Sequence, residues 1–368
     1  MEQACRTDEV VFPLLANPAT YRAGEWDLAR EPGQLDYWLD LFRRHFPLLL
    51  AEALRELEDR GLSRRQARES CAHAEREFYA YLEALAENPE AFGRLDILAI
   101  NERRQQILDS AGLGDVYRLA KSAANQTALD MLAGVLREID GLEDLVRPGR
   151  IVRGILAGNI YDLGATKTAE LFHGRPVDFH GALAKLKPRP WVVDDLPFWC
   201  ERLGSGRPYR KAILLVDNAG PDVVLGMIPL ARDLAGRGTE VVLAANSGPA
   251  LNDITYDELV PLLEQCALLD EALAAVLAQG RLRPVPSGNR CALIDLARIS
   301  PELAAEAEGA DLVVLEGMGR AIESNWSARF TCDVVKVAMV KTGGLAERFG
   351  WQVFDLVFRY ESAGMPNS

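Results

Sequence analysis

The sequence is poor in the residues that build the commonest metal and covalent sites. It has four histidines in 368 residues. His45, His73, His173 and His180 fall outside the segments that read as strands, and are expected to be structural or surface residues. The six cysteines, Cys5, Cys71, Cys200, Cys266, Cys291 and Cys332, form no CxxC and no close Cys/His pair. That excludes a zinc-finger type of site and fits reduced, mostly buried thiols in a cytosolic protein. No apolar run reaches the roughly 18 residues of a membrane span, and MEQACRTDEV lacks the apolar core of a secretory signal. A cytoplasmic location with no membrane partner is therefore expected. Positive charge is also scarce. With 41 Lys and Arg against 54 Asp and Glu, the net charge is -13, so general nucleic-acid binding, which needs clustered cations, is excluded. No GxGxxG follows a strand-like run, and there is no GxxxxGK[ST] or GxSxG. The usual dinucleotide, P-loop and nucleophile-elbow readings lose support with them.

What is present is ample apolar material, 49% of residues, enough for one large or two ordinary domains. Residues 1 to about 150 carry helical spacing in YWLDLFRRHFPLLLAEALREL, where a break is expected at Pro47, in SRRQARESCAHAEREFYAYLEALAENP with its Ser cap, and in YRLAKSAANQTALDMLAGVLREIDGLEDL. Strand signals are nearly absent there. From Lys211 the pattern changes. AILLV, TEVVLAAN, CALIDL, ADLVVLEG, VVKVAMVK and WQVFDLVFRY are short apolar runs, and most are separated by helix-like segments. Strands apolar throughout and alternating with helices indicate a mainly parallel sheet covered on both faces. The expected division is a helical region, 1–205, and an α/β domain, 206–368, that carries the site.

In open α/β sheets ligands bind beyond the carboxyl ends of the strands. There this sequence places Asp217-Asn218, Asn246 with the loop Asn252-Asp253, Glu316-Gly317 followed by Gly319-Arg320, and Lys341. Asp217, Asn218 and Asp253 offer oxygen ligands only, which suits a hard divalent cation such as Mg²⁺ or Mn²⁺. Each has a plainer reading: Asp217-Asn218 as a turn, Asp253 as the cap of the helix near Thr255. EGMGRAIESN pairs Arg320 and Asn325 with a helix start whose N–H groups suit an anionic oxygen, or is an ordinary strand–helix turn. Lys341 is either a snorkelling lysine or a phosphate contact. In GNIYDLGA, Asn159 and Asp162 stand among small residues, as a helix contact or as a wall of the same cleft.

Taken together, LLVDNAGPDVVLG, LAANSGPALNDITYDEL, DLVVLEGMGRAIESN, VVKVAMVK, ILAGNIYDLGA and PWVVDDLPFWCERL resemble the metal-dependent damage-control phosphatases. The likeness is to the branch found as stand-alone plant proteins and as the C-terminal domain of some animal pantothenate kinases. It implies a Rossmann-like α/β/α core beside a helical domain. It also implies a phosphatase of small phosphorylated metabolites, 4'-phosphopantetheine-like or sugar phosphates. It places one divalent metal ion (Mn²⁺, Co²⁺, Ni²⁺ or Mg²⁺) on Asp217, Asn218 and Asp253. Asn159, Asp162, Glu316, Gly317, Gly319, Arg320, Asn325 and Lys341 become expected cleft residues.

The cation would offset phosphoryl charge and lower the pKa of an attacking water. Arg320, Lys341 and backbone N–H groups would stabilise the equatorial oxygens. A covalent role for Asp217 is disfavoured because no DxD follows that strand; position 219 is Ala. A methyltransferase would need a glycine-rich first loop, and DNAGPD is a poor one. A metabolite-binding protein without turnover is the non-enzymatic alternative. On the favoured reading, acid quenching during turnover of a radiolabelled phosphomonoester recovers no phosphorylated Asp217; a labelled aspartyl peptide would establish the covalent route instead.

Overall fold

The computed structural model describes residues 10–24, 26–161 and 179–363. Asp162 and His173 lie outside the described residues. The first part is helical, as its periodicity predicts: α1 Pro32–Asp59, α2 Arg64–Glu87, α3 Ile97–Ser110, α4 Arg118–Asp140 and α5 Arg147–Gly158. Local chemistry fixes several of these starts. Ser63 and Gln66 form a reciprocal capping box on α2. The Asp96 side chain accepts from the Ala99 N–H at the start of α3.

The rest of the chain builds a sheet. After α6 Phe179–Lys185 come β1 Val193–Asp194, α7 Leu196–Gly204 and β2 Lys211–Leu215. A π-helical stretch, Asp222–Met227, then runs into α8 Ile228–Gly236. β3 Glu240–Ala245, α9 Tyr256–Leu269, α10 Glu271–Ala278, β4 Leu282–Pro286, α11 Pro301–Ala307 and β5 Leu312–Glu316 follow. A second π turn, Met318–Glu323, leads to β6 Asp333–Met339, α12 Gly343–Phe349 and β7 Leu356–Glu361.

The seven strands are ordered β1-β7-β6-β5-β2-β3-β4. Every pairing is parallel except β6 with β7. From β2 the chain steps outward to β3 and β4, then returns to lay β5 on the other side of β2. The strand order therefore reverses between β2 and β5, and such a switch point leaves a crevice beyond the strand ends.

Period-2 alternation divides the interior into two apolar layers. Ile213 and Leu215 of β2, with Val313 and Leu315 of β5, join Phe42, Phe46 and Phe78 of α1 and α2 in one layer. Leu214 and Val216, with Val314, join Leu132 of α4, Ile155 of α5 and Leu259 of α9 in the other. The helical first part thus covers both faces of the sheet. The line drawn at residue 205 parts mainly helical chain from chain rich in strands, with β1 on the helical side of it.

Two expectations need correcting: α1 runs through Pro47 without ending there, and one apolar run does not form a strand. CALIDL is not a strand: residues 291–296 form a buried loop. Its N–H groups are satisfied by side chains in place of a ladder. Ile294 donates to Ser324 Oγ at 3.3 Å, Asp295 to Asn289 Oδ1 at 3.0 Å and Leu296 to the Tyr21 hydroxyl at 3.0 Å. The strand in this region is β4, LRPVP, whose two prolines are tolerated because it sits at the sheet edge. Among the described residues no helix is long and apolar enough to cross a membrane.

α5 lies hard against the π-helix through glycine. A Cβ on Gly158 would come within 2.6 Å of the Asp222 Cα. Gly158→Ala is therefore expected to destabilise the fold by about 1–3 kcal/mol through overpacking, despite alanine's better helix propensity; urea unfolding measures it. A stabilising effect would show that the contact yields.

Candidate active site

β2 ends one residue short of Val216, and Asp217-Asn218 follow it into the crevice. The Asp253 loop reaches the same place. Asn218 and Asp253 form an isolated antiparallel bridge, and the Ile254 N–H donates to the Asp217 carbonyl at 3.0 Å. Asp253 does not cap the next helix. Thr255 does, in a capping box with Glu258, which leaves the Asp253 carboxylate to the site.

Arg320, from the turn after β5, joins the two acids. Its Nη1 pairs with Asp217 Oδ1, and its Nη2 donates to Asp253 Oδ2 at 2.7 Å and to Asn246 Oδ1 at 3.2 Å. Asn246, at the end of β3, also donates to Asp253 Oδ2 at 2.9 Å. Room for this comes from Gly317, whose φ is +92°. A side chain there would be strained and would collide with the Asp217 carboxylate.

Beneath this layer lies a second one. Asn159, at the end of α5, donates to Glu316 Oε1 at 2.9 Å and to Asp222 Oδ2 at 3.1 Å. Asn218 Nδ2 donates to Asp222 Oδ2 at 2.8 Å and to Asp217 Oδ2 at 3.0 Å. The Asp217 N–H donates to Glu316 Oε2 at 2.8 Å. Oxygens of Asp217, Asp222 and Glu316 all lie within 4.8 Å of one another. Burial drives all three carboxyls above their ordinary pKa. For Asp217 and Glu316, neighbouring carboxylates add to the rise, and Arg320 and Lys341 oppose it. For Asp222, Lys341 and the amides of Asn218 and Asn159 oppose it. The donors fit a hard cation, since all are oxygens. Moreover, Asn159 Oδ1 and Asp222 Oδ1 are buried without a hydrogen-bond partner.

Above the acids opens a cleft of about 120 Å³. Asp217, Asn218, Asp253, Gly319 and Lys341 form its strand-end wall. Trp38, Phe42 and His45 of α1 and Asn101 and Arg104 of α3 line the cleft from the helical part. Glu316, Asn159, Gly317 and Arg320 lie below the floor, not on it. Asn325 stands behind: it accepts from the Tyr21 hydroxyl at 2.8 Å and donates to the carbonyls of Ile294 and Arg320, bracing the turn that carries Arg320. Lys341 is 5% exposed, so it is a cleft residue and not a snorkelling one.

Sequence reading passed over Asp222, which sits inside the quoted motif but read as a helix start. It passed over Arg104, Asn101 and Trp38, because helical periodicity does not say which polar face meets a cleft. His45, expected to be structural or on the surface, lines the cleft.

An oxygen-rich acidic floor with cations close by, at the switch point of a mainly parallel sheet, is a cluster that could hold a divalent cation. The comparisons with known proteins give the family. The chain belongs to the ARMT1-like damage-control phosphatase domain family, which it matches over residues 41–357. It is 41% identical to a damage-control phosphatase of Arabidopsis thaliana, over 76% of each protein. It is 39% identical to pantothenate kinase 2 of the same plant, over 95% of this chain and 42% of that one. It is 33% identical to 4'-phosphopantetheine phosphatase of Mus musculus, over 96% and 48%. The chain thus spans less than half the length of the last two. A solved structure of a Pyrococcus horikoshii protein, of a family formerly without a known function, shares the fold at TM-score 0.55 and 17% identity, over 86% of this chain and 96% of that one.

Glu316 holds the two layers together through the Asp217 N–H and Asn159. Glu316→Ala leaves the Asp217 N–H buried and unpaired, while Asn159 keeps Asp222 as an acceptor at 3.1 Å, and is expected to cost about 1–3 kcal/mol in urea unfolding. A change near zero would mean that water replaces the carboxylate without cost.

Proposed function

We propose that this chain is a metal-dependent phosphomonoesterase of small phosphorylated metabolites, with 4'-phosphopantetheine-like compounds and sugar phosphates as the candidate classes. One observation carries the reading: Asp217, Asn218, Asp253 and Lys341 converge on a single cleft, with Arg320 bound to both acids from below. Family membership supports phosphoester hydrolysis. The mouse relative's name supports the substrate class.

In this reading Asp217, Asn218 and Asp253 hold one divalent cation, with Mn²⁺, Co²⁺, Ni²⁺ and Mg²⁺ as the candidates. Bound there, it would offset phosphoryl charge and acidify a water. The chain's own residues do the rest. Arg320 opposes the burial-driven rise of the Asp217 carboxyl and ties Asp217 to Asp253. Asp222, Glu316 and Asn159 fix Asp217 and Asn218 from beneath, so the donors need little reorganisation. Lys341, in the cleft wall, sets a positive charge where the equatorial phosphoryl oxygens would lie. Trp38 and Phe42 cover the site from the α1 side and limit water.

The test is hydrolysis of para-nitrophenyl phosphate with each of the four metals and with chelator. Activity is expected to vanish on chelation and return with metal. Asp217→Ala and Asp253→Ala are expected to lose at least about 100-fold in kcat and to bind less metal in equilibrium dialysis while keeping their melting temperatures above the assay range. Activity that survives chelation, or folded variants that keep wild-type rates, would overturn the reading.

A further inference from the structure

Two buried arginines meet this cleft, and their charges are balanced very differently. Arg320 has two carboxylates. Arg104, 7% exposed, has as its hydrogen-bonded partner among the described residues the neutral amide of Asn101: its Nη2 donates to Asn101 Oδ1 at 2.7 Å. Asn101 is itself held by donating to the Ile97 carbonyl at 2.9 Å, so it positions the guanidinium without neutralising it. The Phe42 ring lies 5.5 Å from the guanidinium carbon. Arg104 Nε is buried with no hydrogen-bond partner. Among the described residues, Asp253 is the carboxylate whose field reaches Arg104, and it is already bonded to Arg320 and Asn246.

Burying a guanidinium without an anion is costly. A protein keeps such a group where a ligand supplies the missing charge. Arg104 lines the cleft from α3, an element separate from those that bring Lys341 and the strand ends, and Trp38, Leu41, Ile97 and Leu251 line it too. The phosphoryl end of the substrate already has its cations on the strand-end side. We propose that Arg104 binds a second anionic group of the same substrate, a carboxylate or a sulfonate, joined to the phosphate by a short apolar chain. Asn101 is its positioning residue. This rests on the phosphomonoesterase reading above and names the kind of substrate that the site selects.

The test compares three phosphomonoesters of equal chain length with the metal-loaded protein: hexyl phosphate, a hexanoate with a terminal phosphate, and the matching hexane sulfonate. The wild-type protein is expected to favour at least one of the two anionic compounds by roughly tenfold in kcat/KM, carried mostly by KM, and the two arms tell which acid fits. Arg104→Gln is expected to bring that preference down to near one, and Arg104→Lys to restore part of it. Asn101→Asp, which hands Arg104 an internal carboxylate, is expected to abolish the preference too, and it serves if Arg104→Gln fails to fold. A wild-type preference near one, a preference kept in the variants, or equal losses on all three compounds would overturn the proposal. If the protein hydrolyses none of them, the phosphatase reading is what fails. Calorimetric binding of hexylphosphonate against its carboxylate- and sulfonate-ended counterparts then reads the Arg104 subsite by itself, and equal affinities would overturn it.

Discussion

The structure turns on the bridge from Arg320 to Asp217 and Asp253. Four carboxyls, Asp217, Asp222, Asp253 and Glu316, are buried close together, and burial alone would protonate them or open the fold. Arg320 supplies the compensating charge from below the floor, and Lys341 adds to it from the wall. The surrounding geometry serves that bridge. Gly317 clears space for the Asp217 carboxylate. Asn325 and Tyr21 brace the turn that carries Arg320, and Asn246 holds the far side of Asp253. Thr255 takes the capping duty, which frees Asp253 from it.

The bridge also links parts of the chain that are distant in sequence. Asp217 follows β2, Asp253 belongs to the loop after β3, and Arg320 follows β5. Its formation needs β5 to lie next to β2, the reversal that creates the crevice. Lys121 of α4 adds a tie from the helical part. It pairs with Asp115 and Glu258 and donates to the Asp253 carbonyl at 3.3 Å. Site and topology are thus one constraint seen twice.

Much of this was legible in the residue order, for a physical reason. An apolar strand that stops on Asp217-Asn218, or on Glu316, is conspicuous, because a buried segment has no use for an acid unless something answers it. Lys341 after an apolar run stood out in the same way. Asp222 was harder to see, since acids favour first helical turns and that reading needs nothing further. Arg104 was hidden altogether. In a helix with polar residues on several faces, the sequence does not say which of them meets the cleft. The loop 291–296 misled because apolar burial looks the same whether backbone groups are satisfied by a neighbouring strand or by Asn289, Ser324 and Tyr21. β4 carried no strand signal, since its prolines argue against a strand everywhere but at an edge.

The splitting of the interior into two apolar layers bears on how such a site can change. The cleft wall from α1 and α3 belongs to the layer on one face of the sheet; α5, which supplies Asn159, packs in the layer on the other. Residues with no shared partner on opposite sides of a sheet contribute nearly independently. Side chains of α1 and α3 can therefore be exchanged, and the shape they present to a ligand's far end altered, without repacking the layer that seats Asn159 beneath the acids. On the function proposed above, the fold separates the part that performs the reaction from the part that chooses what undergoes it. A family built this way can diversify its substrates one wall at a time.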